Sequence, residues 1–247
     1  MTLLPFDTAA AETYTERLVS AAEWASTWVV VPAFNEGRVV VDTIGSLRAV
    51  ATNIVVVDDC SSDDTALQLD GMSVTVLRHA VNVGQGAALQ TGIEWALRHG
   101  ALYLVTFDAD GQHDPHDISP LLTTLIDQRL DIVLGSRFRG QAIGISRTRR
   151  LLLRTALAFT RLSTGLPVTD VHNGLRAFRA TAAPALRITQ DRMAHASEIL
   201  DHIARARLSW AEVPTTVRYS GYSVTKGQTS LGAIDILFEL LFGRLRR

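Results

Sequence analysis

Ile54-Val55-Val56-Val57-Asp58-Asp59-Cys60-Ser61-Ser62-Asp63 begins as four consecutive β-branched apolar residues and ends in carboxylates and hydroxyls. An apolar run without alternation fits a strand covered on both faces. Upstream, Val29-Val30-Val31 stops in the same way at Pro32-Ala33-Phe34-Asn35-Glu36, and downstream the run 102–107 stops at Asp108-Ala109-Asp110. Helical spacing fills the intervals. The reading is a strand at 28–31, a helix at 36–50, a strand at 54–57, a short helix from Asp64 and a strand at 74–77. A helix at 86–98, a strand at 102–107, a helix at 115–128 and a strand at 132–134 follow. Repeated βα units predict an α/β fold with a mostly parallel central sheet and helices on both faces. The second half is less regular, with a helix at 147–162, an extended stretch at 174–178, a helix at 195–207 and a strand at 208–213. Residues 1–26 read as a leader carrying a helix around 10–25, residues 27–220 as the catalytic domain, and residues 221–247 as an amphipathic docking segment.

Bulk properties suit a soluble enzyme. The chain has 247 residues, 47% hydrophobic and 20% charged, and a formal net charge of −1. That balance excludes a disordered chain and gives no reason to expect a nucleic-acid partner. A single cysteine, Cys60, excludes an internal disulfide and agrees with a reducing compartment. No basic region followed by an apolar stretch marks a signal peptide, and no run of about 18 apolar residues predicts a membrane span. Neutrality hides one asymmetry. Residues 132–169 contain no acid, yet hold Arg137, Arg139, Arg147, Arg149, Arg150, Arg154 and Arg161. Such a patch suits phosphates or an anionic membrane.

In an open parallel sheet, ligands bind beyond the carboxyl ends of the strands. Four polar clusters fall there: 32–36, 58–63, 82–86 and 108–115. Each alone reads equally well as a turn or a helix cap, and Asn35, Ser62 and Asp63 would cap well. Their coincidence points to a site. Asp108 and Asp110, with the Gln112 amide just beyond, offer hard oxygen donors for a divalent cation that also takes diphosphate oxygens. Gly84-Gln85-Gly86 is not a dinucleotide fingerprint, because the third glycine position is Leu89. Gly84 and Gly86 instead let a loop approach a diphosphate ahead of a helix.

These clusters, together with Gly135-Ser136-Arg137-Phe138 and Asp170-Val171-His172-Asn173-Gly174-Leu175-Arg176, resemble in order and spacing the family 2 inverting glycosyltransferases. The nearest likeness is to the dolichyl- or polyprenyl-phosphate sugar synthases. The resemblance implies a GT-A, Rossmann-like fold, a nucleotide-sugar donor, a polyprenyl phosphate acceptor and a Mg²⁺ or Mn²⁺ ion. It places Pro32, Ala33, Asn35 and Glu36 around the nucleoside, and Asp58 with Asp59 at the base edge. Asp108 and Ala109 meet ribose or sugar, and Asp108, Asp110 and Gln112 form the metal set. Asp108, Asp110 and Arg137 are the catalytic candidates, with Arg137, Arg147, Arg149 and Arg150 facing the acceptor. Members often carry lysine where this chain has Gln85. They commonly carry an arginine near Ser220, a role that Arg218 or Lys226 would take over here. The chain also lacks the Glu-Asp pair that hydroxyl-directed members use as base. An ionised lipid phosphate needs no strong base, so the lack favours a phosphate acceptor. Transfer to a sugar hydroxyl in cell-surface polysaccharide assembly, or non-catalytic nucleotide-sugar binding, are the competing readings. Glu198 reads as acceptor-facing or as a helix-surface ion pair. Residues 231–247 read as an interfacial helix or a packed one, ending in arginines. The expected setting is the cytoplasmic face of the cell membrane, held peripherally by anionic lipid or a separate small membrane protein, with room for a homo-oligomer.

Overall fold

Seven strands form one sheet in a computed structural model that describes residues 17–190 and 194–219. The strands are β1 (Thr27–Ala33), β2 (Asn53–Asp58), β3 (Thr75–Arg78), β4 (Tyr103–Thr106), β5 (Ile132–Ile143), β6 (Arg176–Arg179) and β7 (Trp210–Arg218). Their order across the sheet is β3-β2-β1-β4-β6-β5-β7. Every neighbouring pair is parallel except those of β6, which runs antiparallel to both β4 and β5. The expected mostly parallel sheet is therefore present, with one reversed strand that no βα repeat announced.

The unbroken apolar strands are explained by two cores. Val29, Val31, Val56, Val105 and Leu175 face one side, against α2 (Val40–Arg48) and α5 (Ile118–Asp127). Val30, Val55, Val57, Leu104 and Phe178 face the other, against α4 (Gln85–Arg98) and α7 (His195–Ala206). The remaining helices are α1 (Ala21–Ala25), α3 (Thr65–Leu69) and α6 (Arg147–Thr164).

Three boundaries differ from expectation. The first helix occupies only Ala21–Ala25 of the described residues, started by a capping box between Ser20 and Glu23. The described part of the leader, residues 17–26, packs on the sheet domain: Val19 is buried, and Arg17 bridges Glu23 and Asp127 at 2.9 Å each. The second helix starts at Val40, because residues 35–39 are spent on a turn at the edge of the sheet. Strand β5 runs nine residues past Leu134, resuming its pairing with β7 at Gln141↔Thr216 after a bulge. The docking helix expected at 231–247 lies outside the described residues.

Candidate active site

Because β1 to β4 run parallel and end together, the four polar clusters share one edge. The first two are stitched to each other. Asn35 takes the left-handed conformation, φ 54°. Its Oδ1 accepts from the Ser62 amide at 2.8 Å, and its own amide donates to Ser61 Oγ at 2.9 Å. The Glu36 amide donates to Thr65 Oγ1 at 2.7 Å, and the Gly37 amide to Asp63 Oδ2 at 3.1 Å. Pro32, Ala33 and Glu36 are buried at the root of this turn.

Asp58 and Asp59 serve the loops. Asp58 is fully buried, with Oδ1 accepting from the Ser61 amide at 3.0 Å and Oδ2 lying 3.1 Å from Arg78 Nε. Asp59 gathers the third cluster, accepting from the amides of Val83 at 3.0 Å and Gly84 at 2.6 Å and pairing with His79 Nδ1 at 2.7 Å. The other ring nitrogen of His79 lies 3.0 Å from Thr91 Oγ1 on α4. Gly84 turns into α4 with φ 116°, a conformation natural to glycine. Both carboxylates are enclosed and tie the neighbouring loops to the sheet edge. Gly86 lies inside the first turn of α4, buried.

Asp108 is held from three sides. Its Oδ1 accepts from Gln85 Nε2 at 2.9 Å, and its Oδ2 lies 3.3 Å from His113 Nε2. Gly174 packs against it so closely that a Cβ there would fall 1.9 Å from Oδ2. Asp110 accepts from the Gln112 backbone amide at 3.0 Å and from the Gln112 side-chain amide. Ala109, between them, points into the core. The two carboxyls are pushed apart in acidity. Burial favours the neutral form of Asp108, but the hydrogen bond and charge of His113, with Arg176 and His195, outweigh it and hold the pKa below the ordinary range. For Asp110, burial and the adjacent Asp108 carboxylate win, and its pKa is raised. A carboxylate pair under this repulsion gains from a cation beside it. Among the described residues no three His, Cys, Asp or Glu side chains converge as a complete metal cage. A cation here would draw its remaining oxygens from water and substrate.

Arg218 closes this cluster from β7. Its amide donates to the Gln112 carbonyl at 2.8 Å, and its half-exposed guanidinium lies 3.4 Å from Asp114 Oδ2. Lys226 lies outside the described residues.

Arg137, at the end of the apolar part of β5, is enclosed. It is 5% exposed, and all three guanidinium nitrogens are committed: Nε to Asp170 Oδ2 at 2.6 Å, one Nη to the Tyr219 hydroxyl and the other to the His172 carbonyl. Its backbone amide also donates to Asp170, at 3.0 Å. These bonds brace β5 against the 170–173 loop. Of the α6 arginines, Arg149 stacks over the Tyr219 ring at 4.8 Å, while Arg147 and Arg150 stand exposed. Glu198 is buried, accepting from the amides of Thr189 and Gln190, so it braces a loop rather than facing an acceptor.

Residues 28–186 match the family model "Glycosyl transferase family 2". The chain belongs to glycosyl transferase family 2. This family 2 glycosyltransferase is 35% identical to an uncharacterised protein of Methanocaldococcus jannaschii, over 88% of this chain and 92% of that one. It is 30% identical to the UDP-N-acetylglucosamine–dolichyl-phosphate N-acetylglucosaminyltransferase of Methanococcus voltae, over 87% and 94%. The crystal structure of Mycobacterium tuberculosis glucosyl-3-phosphoglycerate synthase with Mn²⁺, UDP and phosphoglyceric acid superposes with a TM-score of 0.65. It shares 21% identity and covers 89% of this chain and 80% of that one. The likeness bears out the GT-A-like fold.

One residue of the glycosyltransferase edge escaped the sequence reading: His79, which could have been found, since it directly follows β3. Arg176 was quoted within a motif, but its place near Asp108 was hidden, because it depends on the reversed strand β6.

Proposed function

We propose that this family 2 glycosyltransferase moves a sugar, with inversion, from a nucleotide sugar to a polyprenyl phosphate. The observation that carries the acceptor class is the match to a dolichyl-phosphate glycosyltransferase along nearly the whole length of both chains. The missing Glu-Asp pair agrees with it. In this reading an acceptor phosphate oxygen bonds to the anomeric carbon from one face. The bond to the donor diphosphate breaks on the other face, and its electron pair leaves with the nucleoside diphosphate. No proton need be removed, because the nucleophile is already ionised.

The residues fit a divalent cation. Asp110 and Asp108 supply hard anionic oxygens, and Gln112 supplies an amide oxygen once its side chain turns that atom outward. When bound, such an ion neutralises charge developing on the departing diphosphate. Asp108, fixed by Gln85 and His113, is placed for a sugar or ribose hydroxyl, and Arg218 for the diphosphate beside Asp114.

The acceptor class implies work at a membrane surface. Among the described residues no helix is long and apolar enough to cross a bilayer. Helix α6 buries little beyond Ala156 and Thr160 and leaves Leu151 and Leu162 exposed among its arginines. That surface suits peripheral contact with anionic lipid at the cytoplasmic face. Residues 221–247 are assigned to the same docking role, by lipid or a small membrane protein.

The test is a transfer assay with Mn²⁺ and a panel of UDP-, GDP- and dTDP-sugars, offering farnesyl phosphate or an oligosaccharide. A sugar–phosphate–lipid product abolished by EDTA is expected. Transfer to the oligosaccharide alone would overturn the acceptor class, and donor binding without transfer to either would favour a binding protein.

A further inference from the structure

The Asp108 carboxylate rests against the 169–174 loop, and that loop is tied at nearly every residue to the strands beside it. Glu212 of β7 makes the first ties. It is buried, with Oε1 accepting from the backbone amides of Thr169 at 2.7 Å and Asp170 at 3.2 Å. Its Oε2 accepts from the Thr169 hydroxyl at 2.8 Å. Asp170 in turn holds the Arg137 side chain, which also donates to the His172 carbonyl. Asn173 Nδ2 donates to Thr215 Oγ1 on β7 at 2.9 Å, and the Gly174 carbonyl accepts from Thr106 Oγ1 at 2.6 Å. The loop ends at Gly174, which leaves no room for a Cβ beside Asp108.

The hydrogen bonds of this network all point one way. Ionised, Glu212 can only accept, so the Thr169 hydroxyl donates to it. Thr169 Oγ1 then accepts from Ser136 Oγ, 2.6 Å away, and Ser136 Oγ accepts from the Arg139 amide at 3.3 Å. Glu212 is the acceptor on which the chain ends. Burial pushes its pKa up, and the bonds from Thr169 and Asp170, with the charge of Arg139, oppose that rise. A buried carboxylate is costly to keep, and an apolar side chain of the same volume could fill the place. A glutamine there would set a second donor against Thr169 and leave one hydroxyl proton without an acceptor.

We propose that Glu212 is a positioning residue of the glycosyl transfer: through the 169–174 loop it sets where Gly174 holds the Asp108 carboxylate. Gln85 and His113 fix that carboxylate from two sides, and the loop supplies the third. The carboxyl oxygens of Glu212 are spent on Thr169 and Asp170, so it acts on the reaction only through Asp108. The assignment rests on Asp108 serving the donor and the metal as proposed above, whichever acceptor is used.

The test uses the full chain with Mn²⁺, donor and acceptor at saturation, the last two being those that the transfer panel selects. Glu212→Gln should lower kcat at least about ten-fold, as loss of an outer-shell partner does, with acceptor KM unchanged within about two-fold. Manganese affinity in the presence of the nucleoside diphosphate should fall with it. Thr169→Val removes the hydroxyl at nearly constant volume and should repeat this pattern, while Thr169→Ser should stay within about three-fold of wild type. A double variant with Gly174→Ala separates positioning from general weakening. If Glu212 acts through Gly174, the double variant should be no more than about two-fold worse than Gly174→Ala alone, in kcat and in manganese affinity. If Glu212→Gln does not fold, Thr169→Val takes its place in the cycle. Wild-type kcat and manganese affinity in a folded variant, losses that multiply in the cycle, or a Thr169→Ser no better than Thr169→Val would overturn the assignment. A wild type that transfers to neither acceptor removes the proposed reaction instead, and the manganese cycle then decides the positioning role by the same criteria.

Discussion

Asp108 and Asp110 stand one residue apart, yet their neighbours give them different tasks. Asp108 is gripped by Gln85, His113 and the backbone at Gly174, whereas Asp110 meets only Gln112 and the repulsion of its neighbour. Asp110→Asn should therefore cut turnover by more than the roughly 10–100-fold that loss of an outer-shell partner costs, with an unchanged far-UV spectrum. Manganese titration in the presence of nucleotide checks it, and wild-type affinity would remove Asp110 from the metal set. Gly174→Ala forces the Asp108 carboxylate to move, and a displacement near 1 Å at a reacting group costs roughly 10²-fold. Steady-state kinetics should show that loss with little change in melting temperature. His172 gives a stability test. Burial first, and then the positive charges of Arg137, Arg176 and His195, lower its pKa to about 4. The unfolded chain protonates this histidine near pH 6.5 and the folded chain only near 4. Stability must therefore fall as pH drops through that window. Urea midpoints at several pH values should show the decline, and His172→Gln should flatten it.

At the scale of elements, the apolar strands were legible because burial on both faces leaves nothing polar between Val29 and Val31 or between Ile54 and Val57. The edge they share was legible for the same reason, since strands that end together bring their next residues together. What lay hidden follows from pairing. The outer half of β5, Phe138 to Ile143, is largely exposed, and is a strand only because β7 lies beside it. Strand β6 has four residues, two of them arginine, and no local pattern sets its direction. The partners of Asp58, Asp59 and Arg137 were not legible, because a sequence shows that a charge reaches an edge, not whether a partner is already waiting. The Arg137–Asp170 brace makes its own prediction. Arg137→Ala leaves Asp170 buried without its cation, and should cost about 3–5 kcal/mol of stability in denaturant titration. Loss of transfer without loss of stability would return Arg137 to the acceptor.

For the whole molecule, charge is segregated: a near-neutral chain carries an acid-free stretch that includes all of β5 and α6. Co-sedimentation with anionic vesicles should be strong at low salt and fade as the Debye length shrinks. Replacing Arg147, Arg150 and Arg154 by alanine should weaken it by roughly 1 kcal/mol per residue. Binding that ignores both salt and these arginines would place the membrane contact elsewhere. The reversed strand has a further consequence, for synthesis. Strands β1 to β4 leave the ribosome in order and can pair at once, but the free side of β4 must wait for Arg176–Arg179, some seventy residues later. Throughout that interval the nascent chain exposes an open, apolar β-edge at Leu104 and Val105, the surface that invites pairing with another chain. Chaperone demand during translation should peak while residues 107–175 emerge, and end when β6 slots between β4 and β5.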